Sequence, residues 1–324
     1  MKILVIGAAG MIGRKLVKRI LADGAVGGRQ VTAMTLADVV APSAPASAIA
    51  IDTVAADLSH PGVAESLIAG RPDLIFHLAA IVSGEAEADF DKGYAINLDG
   101  TRYLLEAIRQ AHLADGYTPR LVFTSSIAVF GAPFPSEIAD EFHLTPLTSY
   151  GTQKAIGELL LADYSRRGFL DGVGIRLPTI AIRPGKPNKA ASGFFSGIIR
   201  EPLIGQEAVL PVDDTVRHWF ASPRAAVGFL LHAAAMDTTP LGARRSLTMP
   251  GVAATVAEEI EALRRAAGDR AVALIRREPD ETIARIVAGW PQAFIADRAV
   301  ALGFTADKDF DEIVSIHIAD ELGG

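Results

Sequence analysis

The chain predicts an α/β fold, a doubly wound parallel sheet with a smaller C-terminal substrate-binding lobe. Three observations carry that expectation. The apolar run Lys2–Ile6 enters the turn Gly7-Ala8-Ala9-Gly10-Met11-Ile12-Gly13, short β-branched runs alternate with amphipathic stretches through the first half, and the polar motifs fall at carboxyl ends of predicted strands.

The elements follow in order. Lys2–Ile6 reads as the first strand, and Leu16, Val17 and Ile20 recur at helical spacing, which predicts a helix over 11–23. Further strands are expected at 30–37, 53–56, 73–78, 119–124 and 172–181, with helices at 61–69, 95–112 and 149–167 between them. The small, proline-interrupted segment Ala41–Ser47 reads as a surface loop. After residue 183 the rhythm changes: 183–189 and 191–195 look like loops, and helices are expected near 222–236, 253–267 and 292–302. Residues 1–182 are thus expected to form a dinucleotide-binding domain. Residues 183–324 would form mainly the substrate-binding lobe, with some segments returning to the core.

With 324 residues, 50% hydrophobic, the chain can bury a large core. Its formal net charge of −7 argues against a nucleic-acid surface, so an anionic substrate must be met by local basic residues. The sequence has no cysteine, which excludes disulfides and thiolate metal sites, and no metal is expected. No run of about 18 apolar residues suggests a membrane span, and a cytoplasmic protein is expected.

Glycines at 7, 10 and 13, with Met11 and Ile12 between them, let the backbone approach a pyrophosphate at a helix N-terminus. A dinucleotide suits that turn best. Asp38 ends the second strand, where a carboxylate can accept hydrogen bonds from an adenosine ribose; it would repel a 2′-phosphate, and Val39 and Val40 follow instead of a base, so NAD is expected over NADP. Leu78, Ala79 and Ala80 end the fourth strand, and small residues there let a cofactor pass close to the backbone. His77 reads as a buried structural histidine.

Tyr150 and Lys154 are one helical turn apart on one face. Oxidising an alcohol needs its proton removed as hydride leaves the same carbon, and Tyr150 is the candidate base. A free tyrosine, with a pKa of about 10, is phenolate only to roughly one part in a thousand at neutral pH. Lowering it by about 3 units takes about 4 kcal/mol, and one close cation in a poorly solvated cleft is of that order.

The ordered motifs are similar to those of the short-chain dehydrogenase/reductase superfamily, in its extended, epimerase-like branch. They are Gly7-x-x-Gly10-x-x-Gly13, His77-Leu78-Ala79-Ala80, Asn97-Leu98-Asp99-Gly100-Thr101, Thr124–Gly131, Tyr150-x-x-x-Lys154 and Arg176-Leu177-Pro178-Thr179. The resemblance implies a Rossmann-type sheet binding NAD. It implies Ser126, directly before Ile127, as the serine that holds the reacting oxygen, with Ser125 only its neighbour. It also implies that Asp57 and Leu58 face the adenine, that Asn97 helps hold the active-site strands, and that Pro178 contacts cofactor and Ser83 substrate. A homodimer through the helices near 95–112 and 149–167 is implied too, although burial of those faces within one domain would leave the same pattern.

The second half departs from the sugar-nucleotide pattern of that branch. Where many members carry Arg-x-x-Asn, this chain has Arg176-Leu177-Pro178-Thr179, and Arg217-His218-Trp219 replaces another common motif. What replaces those motifs is a compact, mostly basic set, Arg183, Lys186, Asn188, Lys189 and Arg217, and with Ser192 it resembles that of a branch that oxidises a four-carbon sugar acid beside its carboxylate. An arginine can pair such a carboxylate bidentately. Arg183, Asn188, Ser192 and Arg217 are therefore candidate substrate contacts, although each basic residue alone could be a solvated loop charge. Two other readings stay open: a nucleotide-sugar epimerase that retains NAD, and a nucleotide-binding sensor without turnover.

Overall fold

The computed structural model describes residues 1–185 and 191–323. Its central sheet has seven strands: β1 (Lys2–Ile6), β2 (Ala33–Asp38), β3 (Ala50–Ala55), β4 (Leu74–His77), β5 (Arg120–Ser126), β6 (Asp171–Leu177) and β7 (Ser246–Thr248). They lie in the order β7-β6-β5-β4-β1-β2-β3. The chain thus builds outward from β1 in one direction and then, from β4, in the other. The pairs of β1 with β2 and β4, of β2 with β3 and of β4 with β5 are all parallel. Helices cover such a sheet because β1 and β4 are apolar on both faces and must be buried from water twice.

Two compact units emerge. The first comprises 1–129, 148–176 and 227–247, the second 130–147, 177–226 and 248–324. In the first, helix Gly100–Asp115 buries Leu104, Leu105, Ile108 and Ala111 on one stripe. They join Leu4, Ile6, Ile75, Leu121, Phe123 and Leu161 in one core. Each large apolar side chain so buried contributes roughly 1.5–3 kcal/mol. In the second unit, strand Arg217–Ala221 pairs antiparallel with Val252–Thr255 and parallel with Thr179–Ile180. Phe195, Ile198, Ile199, Phe220, Ile260, Leu263, Ile313 and Val314 fill its core.

Several expected elements are redrawn. The third strand starts three residues early, at Ala50, and the run expected over 172–181 breaks at Pro178, which has no N–H to donate to a ladder. The start of the helix expected over 95–112 is π-helical, Tyr94–Asp99, before the α-helix begins at Gly100. Residues 191–195 are not all loop: helix Gly193–Leu203 begins within them, because Phe194, Phe195, Ile198 and Ile199 fall on one helical face despite the turn-like Ser192-Gly193. The helix expected near 253–267 starts at Val256, after strand Val252–Thr255 and a Thr255/Glu258 capping box. That near 292–302 shrinks to Asp297–Ala301. Among the described residues, no helix is long and apolar enough to cross a membrane.

Candidate active site

The strand order reverses between β1 and β4, the point outside which such sheets bind ligands. Gly7 leaves β1 there with φ +90°, and a Cβ on it would sit 2.7 Å from the Ala79 nitrogen and 2.9 Å from the Leu78 carbonyl carbon. Only glycine fits. Ile6 O accepts from the amides of Leu78 (2.8 Å) and Ala79 (3.1 Å), which lays the segment Leu78-Ala79-Ala80 beside the glycine turn. A Cβ on Gly13 would run into the Gly7 carbonyl oxygen, so the helix Met11–Asp23 can start only if that position is bare. Its N-cap, Gly10, brings no side-chain acceptor to the first turn, and Met11 and Ile12 in that turn are half-buried. Bare glycines and a helix N-terminus without a side-chain cap fit a pyrophosphate.

Asp38 ends β2 beside this turn. Its carboxylate accepts from the amides of Ala9 (2.9 Å) and Val39 (2.8 Å), so the acid is fixed to the glycine turn itself, while Val39 and Val40 are exposed. Asp57 accepts from both the amide and the hydroxyl of Ser59, at 2.9 and 2.7 Å. Burial pushes its carboxyl up, but the Ser59 hydrogen bonds and the nearby His60 outweigh that and hold it below the usual range. Leu58 is buried, and a Cβ on Gly100 would lie 3.1 Å from its Cβ. Asn97 is 1% exposed, and its amide is fully used: Oδ1 accepts from Ile81 N (2.9 Å), and Nδ2 donates to Ile81 O (3.2 Å) and Gln153 Oε1 (2.8 Å). No hydrogen of that amide is left for a cofactor.

Helix Ser149–Arg166 carries Tyr150 and Lys154, and Thr148 caps it by accepting from Gly151 N at 3.0 Å. Lys154 is 2% exposed; its Nζ donates to the Thr124 carbonyl of β5 (2.9 Å) and lies 5.8 Å from the Tyr150 ring centroid. Burial lowers the Lys154 ammonium to about 8, with Glu158 opposing the fall. The half-buried Ser126 ends the same strand, two residues past Thr124, and its hydroxyl accepts from Ala128 N at 3.1 Å. Ser125 turns the other way: it is buried, and its hydroxyl donates to Glu158 Oε1 at 2.6 Å. His77 is buried too, its Nε2 3.0 Å from the Thr101 hydroxyl. That hydroxyl already donates to Asn97 O, so Nε2 must carry the histidine proton. Burial, with Lys154 nearby, pushes its imidazole down to about 3.

Glu158 stands outside the expected site residues. It falls four residues past Lys154 on the same helical face, a spacing that could have found it. Its carboxylate takes Arg176 in a fork, from Nε at 3.0 and 3.1 Å and Nη2 at 2.7 Å. Ser83, half-buried, opens the helix Ser83–Ala88.

The remaining candidates belong to the second unit. Pro178 is buried. Arg183 donates through Nε to Ile180 O (3.0 Å), and its amide donates to the Ser196 hydroxyl (3.0 Å). Ser192 precedes helix Gly193–Leu203, and Arg217 opens its strand with an exposed side chain. Asn188, Lys186 and Lys189 lie outside the described residues. Thr179, standing where sugar-nucleotide enzymes carry asparagine, meets buried His218 Nε2 at 2.7 Å, while His218 Nδ1 lies 2.9 Å from Pro291 O. A carbonyl only accepts, so Nδ1 carries the proton and the Thr179 hydroxyl donates to Nε2. Burial pushes His218 down to about 4 and keeps this neutral tautomer.

A family model described as the NAD dependent epimerase/dehydratase family matches residues 3–239. The chain belongs to that family. It is an NAD-dependent oxidoreductase acting on CH–OH groups. It is 47% identical over 324 residues to a D-erythronate dehydrogenase of Cupriavidus necator, covering 99% of this chain and 98% of that protein. It is 42% identical to a D-erythronate dehydrogenase of Haemophilus influenzae, covering 99% and 100%. A crystal structure described as the nucleoside-diphosphate-sugar epimerase from Agrobacterium tumefaciens is 68% identical, with a TM-score of 0.98 over 100% of this chain and 95% of that one.

Proposed function

We propose that this family member oxidises D-erythronate to 2-dehydro-D-erythronate in the cytoplasm. The observation that carries the reading is 47% and 42% identity, over nearly the full length, to two proteins named for that activity. NAD, when bound, supplies the hydride acceptor. Gly7, Gly10, Met11, Ile12 and Gly13 would hold its pyrophosphate, Asp38 its adenosine ribose, and Leu78, Ala79 and Ala80 the stretch beside them. Ser126 holds the reacting hydroxyl, and Tyr150 takes the proton from that oxygen. Lys154 favours the phenolate because its charge sits in a poorly solvated place with one carbonyl as its hydrogen-bond acceptor. Arg183, Ser192 and Arg217 are proposed to receive the substrate, and the second unit is proposed as the substrate-binding lobe.

A second reading, a nucleotide-sugar epimerase retaining NAD, is favoured by the description of the Agrobacterium structure. Against it stands Thr179, whose hydroxyl hydrogen is given to His218 where an asparagine amide would be free to donate. The two readings part on net redox change. Mixing the protein with NAD and D-erythronate is expected to produce NADH over many turnovers, at a rate about 10²–10⁴-fold lower for Tyr150→Phe. No NADH with any four- to six-carbon aldonic acid, alongside epimerisation of a sugar nucleotide, would overturn the first reading in favour of the second.

A further inference from the structure

Tyr150, Lys154 and Glu158 are spaced four residues apart and share one face of helix Ser149–Arg166. A buried ammonium tends to lose its proton, and a neutral lysine could not favour a phenolate. Among the described residues, three elements bring groups to face Lys154. From β4 comes His77, neutral and so without charge to offer. From β5 come the Thr124 carbonyl and the Phe123 ring, whose centroid is 4.9 Å from Nζ. From its own helix come Tyr150 and the Glu158 carboxylate, 3% exposed. Glu158 is the anion in this set. It is fixed from two further strands, by Ser125 on β5 and by Arg176 on β6.

We infer that Glu158 is a positioning residue for this reaction: clamped by Ser125 and Arg176, it keeps the buried Lys154 charged and thereby sets the pH at which Tyr150 can act as base. The inference rests on the reading of Tyr150 as that base. A Glu158–Arg176 pair with a merely structural role would alter stability and scale the rate equally at every pH.

The test uses the NAD-loaded protein and two readouts: the ultraviolet titration of the Tyr150 phenolate, taken as the difference from Tyr150→Phe, and the pH profile of kcat/KM. Glu158→Gln is expected to move both the phenolate titration and the acidic limb upward by about one pH unit, with NAD affinity unchanged and Glu158→Asp restoring most of the shift. Because Glu158→Gln takes from Arg176 the carboxylate it grips, the double variant Glu158→Gln/Arg176→Gln is made beside it, and an upward shift is expected there too, smaller because a cation is lost with the anion. A titration and limb at their original positions in a folded variant would overturn the inference. Full turnover by Tyr150→Phe would instead overturn the assignment of the base, and the phenolate titration would still report on Glu158.

Discussion

Ser125 and Ser126 are neighbours on one strand and face opposite ways, as successive strand residues must. Ser125 supplies a hydrogen bond to a buried carboxylate, and Ser126 stays half-buried at the strand end. Replacing each by alanine is expected to separate two effects. Ser125→Ala should lower the denaturant midpoint by an amount equivalent to about 1.5–3 kcal/mol, because the Glu158 carboxylate loses a donor it cannot replace with water. Ser126→Ala should leave the midpoint near its original value and cut kcat about a hundredfold. Equal midpoints for the two variants would contradict this division. At this scale the sequence was informative about positions and silent about partners. The glycine turn and the Tyr150–Lys154 spacing are local, so they can be read directly. The Arg176–Glu158 and Thr179–His218 contacts join residues 18 and 39 positions apart, and no local pattern marks them.

Among the elements, β1, a continuous apolar run, and helix Met11–Asp23, with its single apolar stripe, were legible from hydrophobic pattern. Helix Ser149–Arg166, which buries Gln153, Lys154 and Glu158, was legible through its Tyr150–Lys154 spacing. The π-helical turn Tyr94–Asp99 was not. A π-turn adds a residue to the helical repeat, and the inward side chain it carries here, Asn97, ties the loop after β4 to helix Ser149–Arg166 through Ile81 and Gln153. Polar residues on a buried helix face look like a break in amphipathicity unless their partners are known. Asn97→Ala would orphan the Ile81 amide and the Gln153 side-chain Oε1, each at about 1–3 kcal/mol. The expected outcome is a lower melting temperature, with faster hydrogen exchange at the Ile81 amide. Unchanged exchange there would show that the clamp does not hold the loop.

At the scale of the whole molecule, each unit holds a buried histidine whose imidazole is pushed well down, His77 in the first and His218 in the second. In the unfolded chain both would take a proton near 6.5, while in the fold they resist to about 3 and about 4. The unfolded state therefore binds more protons below 6.5, and stability falls on acidification by about 1.4 kcal/mol per pH unit for each histidine. Buried Glu259 works in the opposite direction: burial holds its carboxyl protonated well above its usual 4.5, so it destabilises the fold as pH rises past that value. It therefore opposes the two histidines. Stability of the intact protein is thus expected to drop on acidification below 6.5, by less than the roughly 2.8 kcal/mol per unit that the two histidines would give alone. His218→Gln should weaken that dependence and Glu259→Gln should steepen it, as read by thermal melting at a series of pH values. The two units also share an awkward inheritance. Each is assembled from three stretches of chain, so any fragment long enough to contain one complete unit carries pieces of the other. A single genetic crossover can therefore never exchange one whole unit for a relative's without carrying pieces of the other.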